Sequence, residues 1–145
     1  MKAAAVVCLS ALGLLLLGGV AATATADPRT NYMLDCRGCH GAGGAGVPGK
    51  VPDMRNSLAR LSATPAGRRY LVEVPGVAQA PLSDLELAQL LNWITRHLSA
   101  VPEPTGFEPF TAHEVASYRK TPLVAVAAIR ERLLTGSPRS ASSRR

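Results

Sequence analysis

The most constraining feature of the sequence is the stretch CRGCH at residues 36–40, which a glycine-rich run follows. It places two cysteines three positions apart and a histidine directly after the second. Thioredoxin-like disulfides share the cysteine spacing, but those motifs belong to a βαβ unit, and no strand pattern precedes Cys36. A structural zinc site needs four ligands, whereas Cys36, Cys39 and His40 are three with no second cluster nearby. Neither alternative accounts for the whole stretch.

Covalent haem attachment requires this spacing. Two thiols one helical turn apart can form thioethers with the vinyl groups of a haem, and the adjacent histidine can ligate the iron. We therefore predict one covalent haem c, with Cys36 and Cys39 as the attachment residues and His40 as an axial iron ligand.

Residues 1–26 predict an export signal. Lys2 precedes an apolar run rich in leucine and alanine, and the small-residue stretch AATATA follows, directly before Asp27. This order is typical of a secretory signal peptide, with cleavage between Ala26 and Asp27. The alternative is a retained membrane anchor, for which the apolar run is short. We predict a periplasmic protein that meets the membrane only if the signal is uncleaved.

The net charge does not indicate nucleic-acid binding. The chain has 16 Lys and Arg against 10 Asp and Glu, a formal charge of +6. Removal of Lys2 with the signal lowers this excess, and two haem propionates would lower it further. Several of the remaining cations lie in the tail at residues 137–145, whose Ser/Arg/Pro composition predicts disorder.

Residues 30–99 resemble the class I (monohaem) cytochromes c. A short helix leads into CRGCH, the stretch GAGGAGVPGKVPDM resembles the family's glycine-rich loop, and a later helix carries Trp93. The resemblance implies an all-α domain wrapped around one haem, with its first and last helices crossing at an aromatic residue. It also implies that the Pro52 carbonyl accepts a hydrogen bond from His40 and so orients the axial ligand.

The last helix of this domain is also predicted from the residues alone. Ser83 and Glu86 have the spacing of a capping box. Apolar residues then recur at helical spacing, which predicts a face buried in the core. These residues are Leu87, Leu90, Leu91, Ile94 and Leu98.

The sequence departs from the family at the sixth iron ligand. Class I cytochromes usually supply a methionine from the loop before the last helix, but residues 70–82 contain no methionine, histidine or lysine. Met54 takes the position of the family's proximal leucine. This position indicates that Met54 packs under the haem rather than ligating the iron. His113 is an alternative candidate from a C-terminal extension, whereas His97 is expected at a helix edge. Gln79 or an open site are the other options.

Residues 101–136 predict a proline-rich linker followed by two short helices. The stretch VPEPTGFEPF cannot form regular helix or sheet. Thr111 and Glu114 predict a capping box at the start of the first helix. Phe107 and Phe110 are expected to pack between this extension and the domain.

The second helix of the extension is predicted to start at Thr121 and Pro122, as N-cap and first residue, and to end at Gly136. Its apolar stripe favours packing on the domain. The alternative is that the extension docks a partner or shields the distal face of the haem. The residues of the stripe are Leu123, Val126, Ile129, Arg130 and Leu133.

Together these observations predict a signal peptide at 1–26, a cytochrome c domain at 27–100 and the extension at 101–136. The predicted function is one-electron transfer between periplasmic redox partners, such as a dehydrogenase and an oxidase. No nucleophile–base arrangement indicates an enzyme. Two alternatives remain: a five-coordinate haem module that binds or senses a diatomic ligand, and a non-carrier cytochrome subunit of an oxidoreductase complex.

Overall fold

The computed structural model describes residues 26–136 of the chain. Residues 1–25, which carry almost all of the predicted signal peptide, and the predicted tail at 137–145 lie outside the described residues. Between residues 26 and 136 the chain is helical, and its β-structure is one isolated bridge between Val47 and Val51. The predicted all-α class is confirmed. None of the helices in this part of the chain is long and apolar enough to cross a membrane.

The first helical stretch leads directly into CRGCH. It consists of α1 (Pro28–Asn31), a π-helical turn (Tyr32–Cys36) and α2 (Arg37–His40). Pro28 suits the first turn because its missing N–H would have no intrahelical partner there. The π turn widens the helix up to Cys36, the first residue of CRGCH, and such turns are frequent at functional sites.

Four helices follow the glycine-rich loop, and two more lie in the extension. They are α3 (Leu58–Ser62), α4 (Pro65–Glu73), α5 (Pro75–Ala78), α6 (Asp84–His97), α7 (Ala112–Tyr118) and α8 (Val126–Thr135). The core lies where α6 crosses the first helical stretch. Tyr32 and Trp93 meet at this crossing, with ring centroids 5.7 Å apart. The crossing at an aromatic residue is thus confirmed.

The capping box and the apolar face of α6 are as predicted. Ser83 Oγ accepts a hydrogen bond from the Glu86 N–H at 3.3 Å, and the Glu86 carboxylate accepts one from the Ser83 N–H at 2.9 Å. Four of the five predicted face residues are buried: Leu87, Leu90, Leu91 and Ile94. Leu98 is half-buried and packs against the same core.

We expect Ser83→Ala to lower the free energy of unfolding by about 1 kcal/mol, because the N-terminus of α6 loses the acceptor for its third N–H. Urea denaturation of the holoprotein measures this loss. Ser117→Ala is the matched control, since Ser117 lies on the exposed side of α7 and caps no helix N-terminus. Equal stability of the two variants would contradict the assigned role of the cap.

The extension packs on the domain, as predicted. Phe110 and Val115 are buried in the common core, and Phe107 packs against it. The Asn92 side chain donates to the Phe110 carbonyl at 3.0 Å and accepts from the Phe110 N–H at 2.7 Å. The extension therefore completes the hydrophobic core.

One predicted cap is only half formed. Thr111 Oγ1 accepts from the Glu114 N–H at 3.1 Å, as an N-cap should. The Glu114 carboxylate does not return to the N-cap, because it pairs with Arg68 of α4 at 2.5 and 2.7 Å. The Arg68 guanidinium also lies 4.0 Å from the ring centroid of Phe110. A tertiary ion pair thus replaces the predicted local bond.

The predicted start of the second extension helix is wrong. α8 begins at Val126, with Ala125 as N-cap, rather than at Thr121 and Pro122. The Leu123 N–H donates to the Glu73 carbonyl at the end of α4, 2.9 Å away, and this tertiary bond holds the chain outside the helix. The predicted end at Gly136 is confirmed. All five residues of the predicted stripe are half-buried, which agrees with packing on the domain.

Candidate functional site

An apolar cavity of about 160 Å³ lies between His40 on one side and the helices of the core on the other. Aliphatic residues from four helices form most of its wall: Leu58, Leu61, Leu71, Leu91, Ile94 and Val126. Pro52 and Met54 reach it from the glycine-rich loop. The cavity brings together His40, Pro52 and Met54, which the motif and the loop predict as site residues.

His40 ends α2 and is half-buried in this wall. Burial lowers the pKa of the His40 imidazole, and the Pro52 carbonyl opposes that shift. The carbonyl therefore lies close to the ring, although Nδ1 is buried without a completed hydrogen bond. A neutral imidazole is the form that ligates a metal ion. The ligand role of His40 and the orienting role of Pro52 stay predictions that this geometry supports.

Gly46 allows the glycine-rich loop to fold back beside His40. Its N–H donates to the His40 carbonyl at 2.9 Å, and its φ is +68°. A Cβ at this position would lie 2.3 Å from the Val51 carbonyl oxygen and 2.7 Å from that of Pro52. Only glycine fits, and its absence of a side chain lets the Pro52 carbonyl approach the histidine.

The Tyr32 hydroxyl is a further part of the site that sequence reasoning missed. Tyr32 is 1% exposed, and its hydroxyl donates to the Gly41 carbonyl at 2.6 Å. This bond ties the π turn to the residue that follows His40. From the sequence alone Tyr32 offers only apolar surface, because the target of its hydroxyl lies nine positions away.

The two cysteines are free thiols in different surroundings. Cys36 is half-buried and packs against the core, whereas Cys39 is exposed. Burial raises the pKa of the Cys36 thiol to about 11, and the charges of Asp35 and Cys39 add to the shift. No disulfide joins the pair. Cys39, which directly precedes His40 of the cavity wall, thus lies at the protein surface.

Of the candidate sixth ligands, Met54 alone lies at the cavity in the part of the chain that is described. Its side chain packs against Gly44, where a Cβ would lie 3.2 Å from the Met54 sulfur. His113 and Gln79 do not line the cavity. His97 is exposed and stacks on Trp93 at 5.0 Å, at the helix edge expected for it. The identity of the sixth ligand stays a prediction.

Tyr70 and Arg130 form the polar end of the cavity. Arg130 donates to Ser57 Oγ at 2.9 Å and to the Asp53 carbonyl at 3.3 Å. Burial raises the pKa of the Tyr70 phenol, and the positive charge of Arg130 opposes the shift. From the sequence alone Arg130 belongs to a packing stripe and Tyr70 has no role, because only the fold brings α4 and α8 together.

These residues fit a covalent haem. An apolar slot, a neutral imidazole and two free thiols suit the macrocycle, the iron and the vinyl groups. The cavity opens beside Tyr70 and Arg130 into a groove of about 680 Å³, which shares Pro52 and Val126 with it. A guanidinium at this end is suited to a propionate carboxylate.

Two curated relatives are similar to the chain over most of its length. Both are cytochromes c-552 of Thermus thermophilus. One is 34% identical, over 86% of this chain and 95% of the relative. The other is 33% identical, over 70% of this chain and 91% of the relative. No protein-family model matches the chain.

Proposed function

The chain belongs to the class I (monohaem) cytochrome c family, and from this premise we propose that it carries single electrons between redox partners in the periplasm. It is a c-type cytochrome with haem c as its cofactor, and electron transfer is the activity of the family. When bound, the haem supplies a one-electron couple at its iron. We propose a periplasmic location, with a dehydrogenase as the electron donor and an oxidase as the acceptor.

One observation carries the proposal: the cavity is lined mostly by aliphatic side chains, while Cys39, the neighbour of His40 in its wall, is exposed. A dry cavity limits the reorganisation that accompanies a change of charge. An exposed attachment edge gives a partner protein a short path to the cofactor. This combination suits outer-sphere electron transfer, which needs no substrate-binding site.

The site residues have distinct proposed roles in holding the cofactor and in setting the charge around it. Cys36 and Cys39 fix the cofactor covalently, and His40 holds the iron with the Pro52 carbonyl beside its ring. Arg130 places a positive charge at the polar end of the cavity. A nearby cation favours the reduced state of a haem because it offsets the electron that is gained.

A second candidate function is the binding of a neutral diatomic ligand at an open iron. The observation in its favour is that residues 74–83, which join α4 to α6, contain no methionine, histidine or lysine. The aliphatic wall of the cavity would accept a small uncharged ligand. A non-carrier subunit, held in a complex by α7 and α8, is less favoured because both helices pack on their own domain.

Absorption spectra of the mature holoprotein, oxidised and reduced, with and without carbon monoxide, separate these functions. We expect a low-spin spectrum that carbon monoxide leaves unchanged, as for an electron carrier with a protected iron. The variants Met54→Leu and His113→Gln would then identify the sixth ligand, with His97→Gln as the control. A high-spin spectrum that shifts promptly with carbon monoxide would refute the carrier and favour the diatomic-ligand module.

A further inference from the structure

The Arg119 side chain donates hydrogen bonds to four oxygen atoms of one short loop. It is the first residue after α7, and its side chain is 18% exposed. Its guanidinium donates to the carbonyls of Ala78, Ala80 and Leu82 at 3.1, 2.8 and 2.8 Å. It also donates to Asp84 Oδ1 at 3.0 Å. Loop 78–84, which joins α5 to α6, is thus held by a single side chain from the extension.

Loop 78–84 directly follows the part of α5 that lines the cavity, although none of its own residues does so. Val74, the N-cap of the short helix α5, and Val77, within that helix, line the cavity. Leu82 packs against the core. The loop falls within the span in which class I cytochromes usually carry their sixth iron ligand. Here the residues of the span that line the cavity are Tyr70, Leu71, Val74 and Val77.

The geometry suits arginine in particular. A guanidinium presents five N–H donors in one plane, so it can satisfy several carbonyls that converge from one side. Lysine has the same charge but a single nitrogen, which cannot span four acceptors. Since the side chain is largely buried, solvent screens these charge-assisted bonds only partly.

We propose that Arg119 is a positioning residue for the haem: by fixing loop 78–84 and the end of α5 it holds Val74 and Val77 in the cavity wall and limits access of external ligands to the iron. The covalent anchors and His40 bind the cofactor from the first helical stretch, and Arg119 acts on the opposite wall from the extension. This inference depends on haem attachment and is independent of the carrier role.

The test is the rate at which the reduced holoprotein binds carbon monoxide on long incubation after mixing, a slower event than the prompt shift of the spectrum that an open iron would give. Loss of these bonds makes opening of the loop easier, so we expect Arg119→Gln to bind carbon monoxide about tenfold faster than the unmodified protein. Arg119→Lys should give an intermediate rate, since it restores the charge and some of the bonds. The matched control is Arg96→Gln, which removes an exposed ion pair with Glu103 at 2.8 Å.

Thermal unfolding of the same proteins separates positioning from simple stabilisation. A lower melting temperature in Arg119→Gln with an unchanged carbon monoxide rate would overturn the inference and leave Arg119 a purely structural residue. The inference would also be overturned if the unmodified protein bound carbon monoxide as fast as Arg119→Gln, whatever the spin state of its iron. If Arg119→Gln does not accumulate, Arg119→Lys takes its place. A carbon monoxide binding rate no faster than that of Arg96→Gln would then overturn the inference.

Discussion

Replacement of both Cys36 and Cys39 by serine is expected to abolish covalent haem attachment altogether. The thioether forms between a cysteine sulfur and a vinyl carbon, and a serine hydroxyl does not take part in that reaction under cellular conditions. The double variant should therefore lose its haem on denaturation and show the mass of the polypeptide alone. Intact mass spectrometry and haem staining of a denaturing gel measure the result directly.

Gly38→Ala is the matched control for this experiment. It changes the spacer of CRGCH and leaves both thiols and His40 in place, and a Cβ at Gly38 would meet nothing within 4 Å. We expect this variant to attach haem as the unmodified chain does. Haem that stays covalently bound to the double serine variant would show that the attachment site had been assigned to the wrong residues.

Gly67→Ala is expected to lower the free energy of unfolding by about 3 kcal/mol, at the upper end for overpacking of a well-packed core. Gly67 lies on α4, against α3, and a Cβ there would lie 2.1 Å from the Leu61 carbonyl oxygen. The obstacle is backbone, which cannot rotate out of the way as a side chain would. Since Leu61 lines the cavity, the displacement would also reach the haem.

Urea denaturation measures the loss, and Gly76→Ala is its control. Gly76 lies in α5 without a positive φ, and a Cβ there would meet nothing within 4 Å. Alanine at that position should be neutral or should stabilise by about 0.5–1 kcal/mol, because it restricts the unfolded chain. If the two variants were equally stable, the close packing of α4 on α3 would be refuted.

The features that the sequence predicted correctly depend on residues close together in the chain. The capping box of Ser83 and Glu86 and the apolar face of α6 are each readable within a few helical turns, whereas the roles assigned to the residues of CRGCH stay predictions. The all-α fold follows from such local patterns, and the family resemblance supplied the crossing of the first helical stretch with α6.

The features that sequence reasoning missed arise from contacts between distant segments. Glu114 leaves its predicted cap because Arg68 of α4 is a stronger partner. The start of α8 moves to Val126 because the Leu123 N–H bonds the end of α4. Tyr70 and Arg130, like Arg119, acquire a role at the site only when the extension folds onto the domain. No local pattern encodes such pairings.

The position of α8 in the wall of the cavity has a consequence for the order of assembly. A chain that is made and exported from its N-terminus presents CRGCH first and Val126 and Arg130 last. Until α8 docks, the cavity lacks the part of its wall that Val126 and Arg130 form. Docking of α8 therefore completes the cavity, and a chain shortened before residue 126 would leave this side of the cavity open.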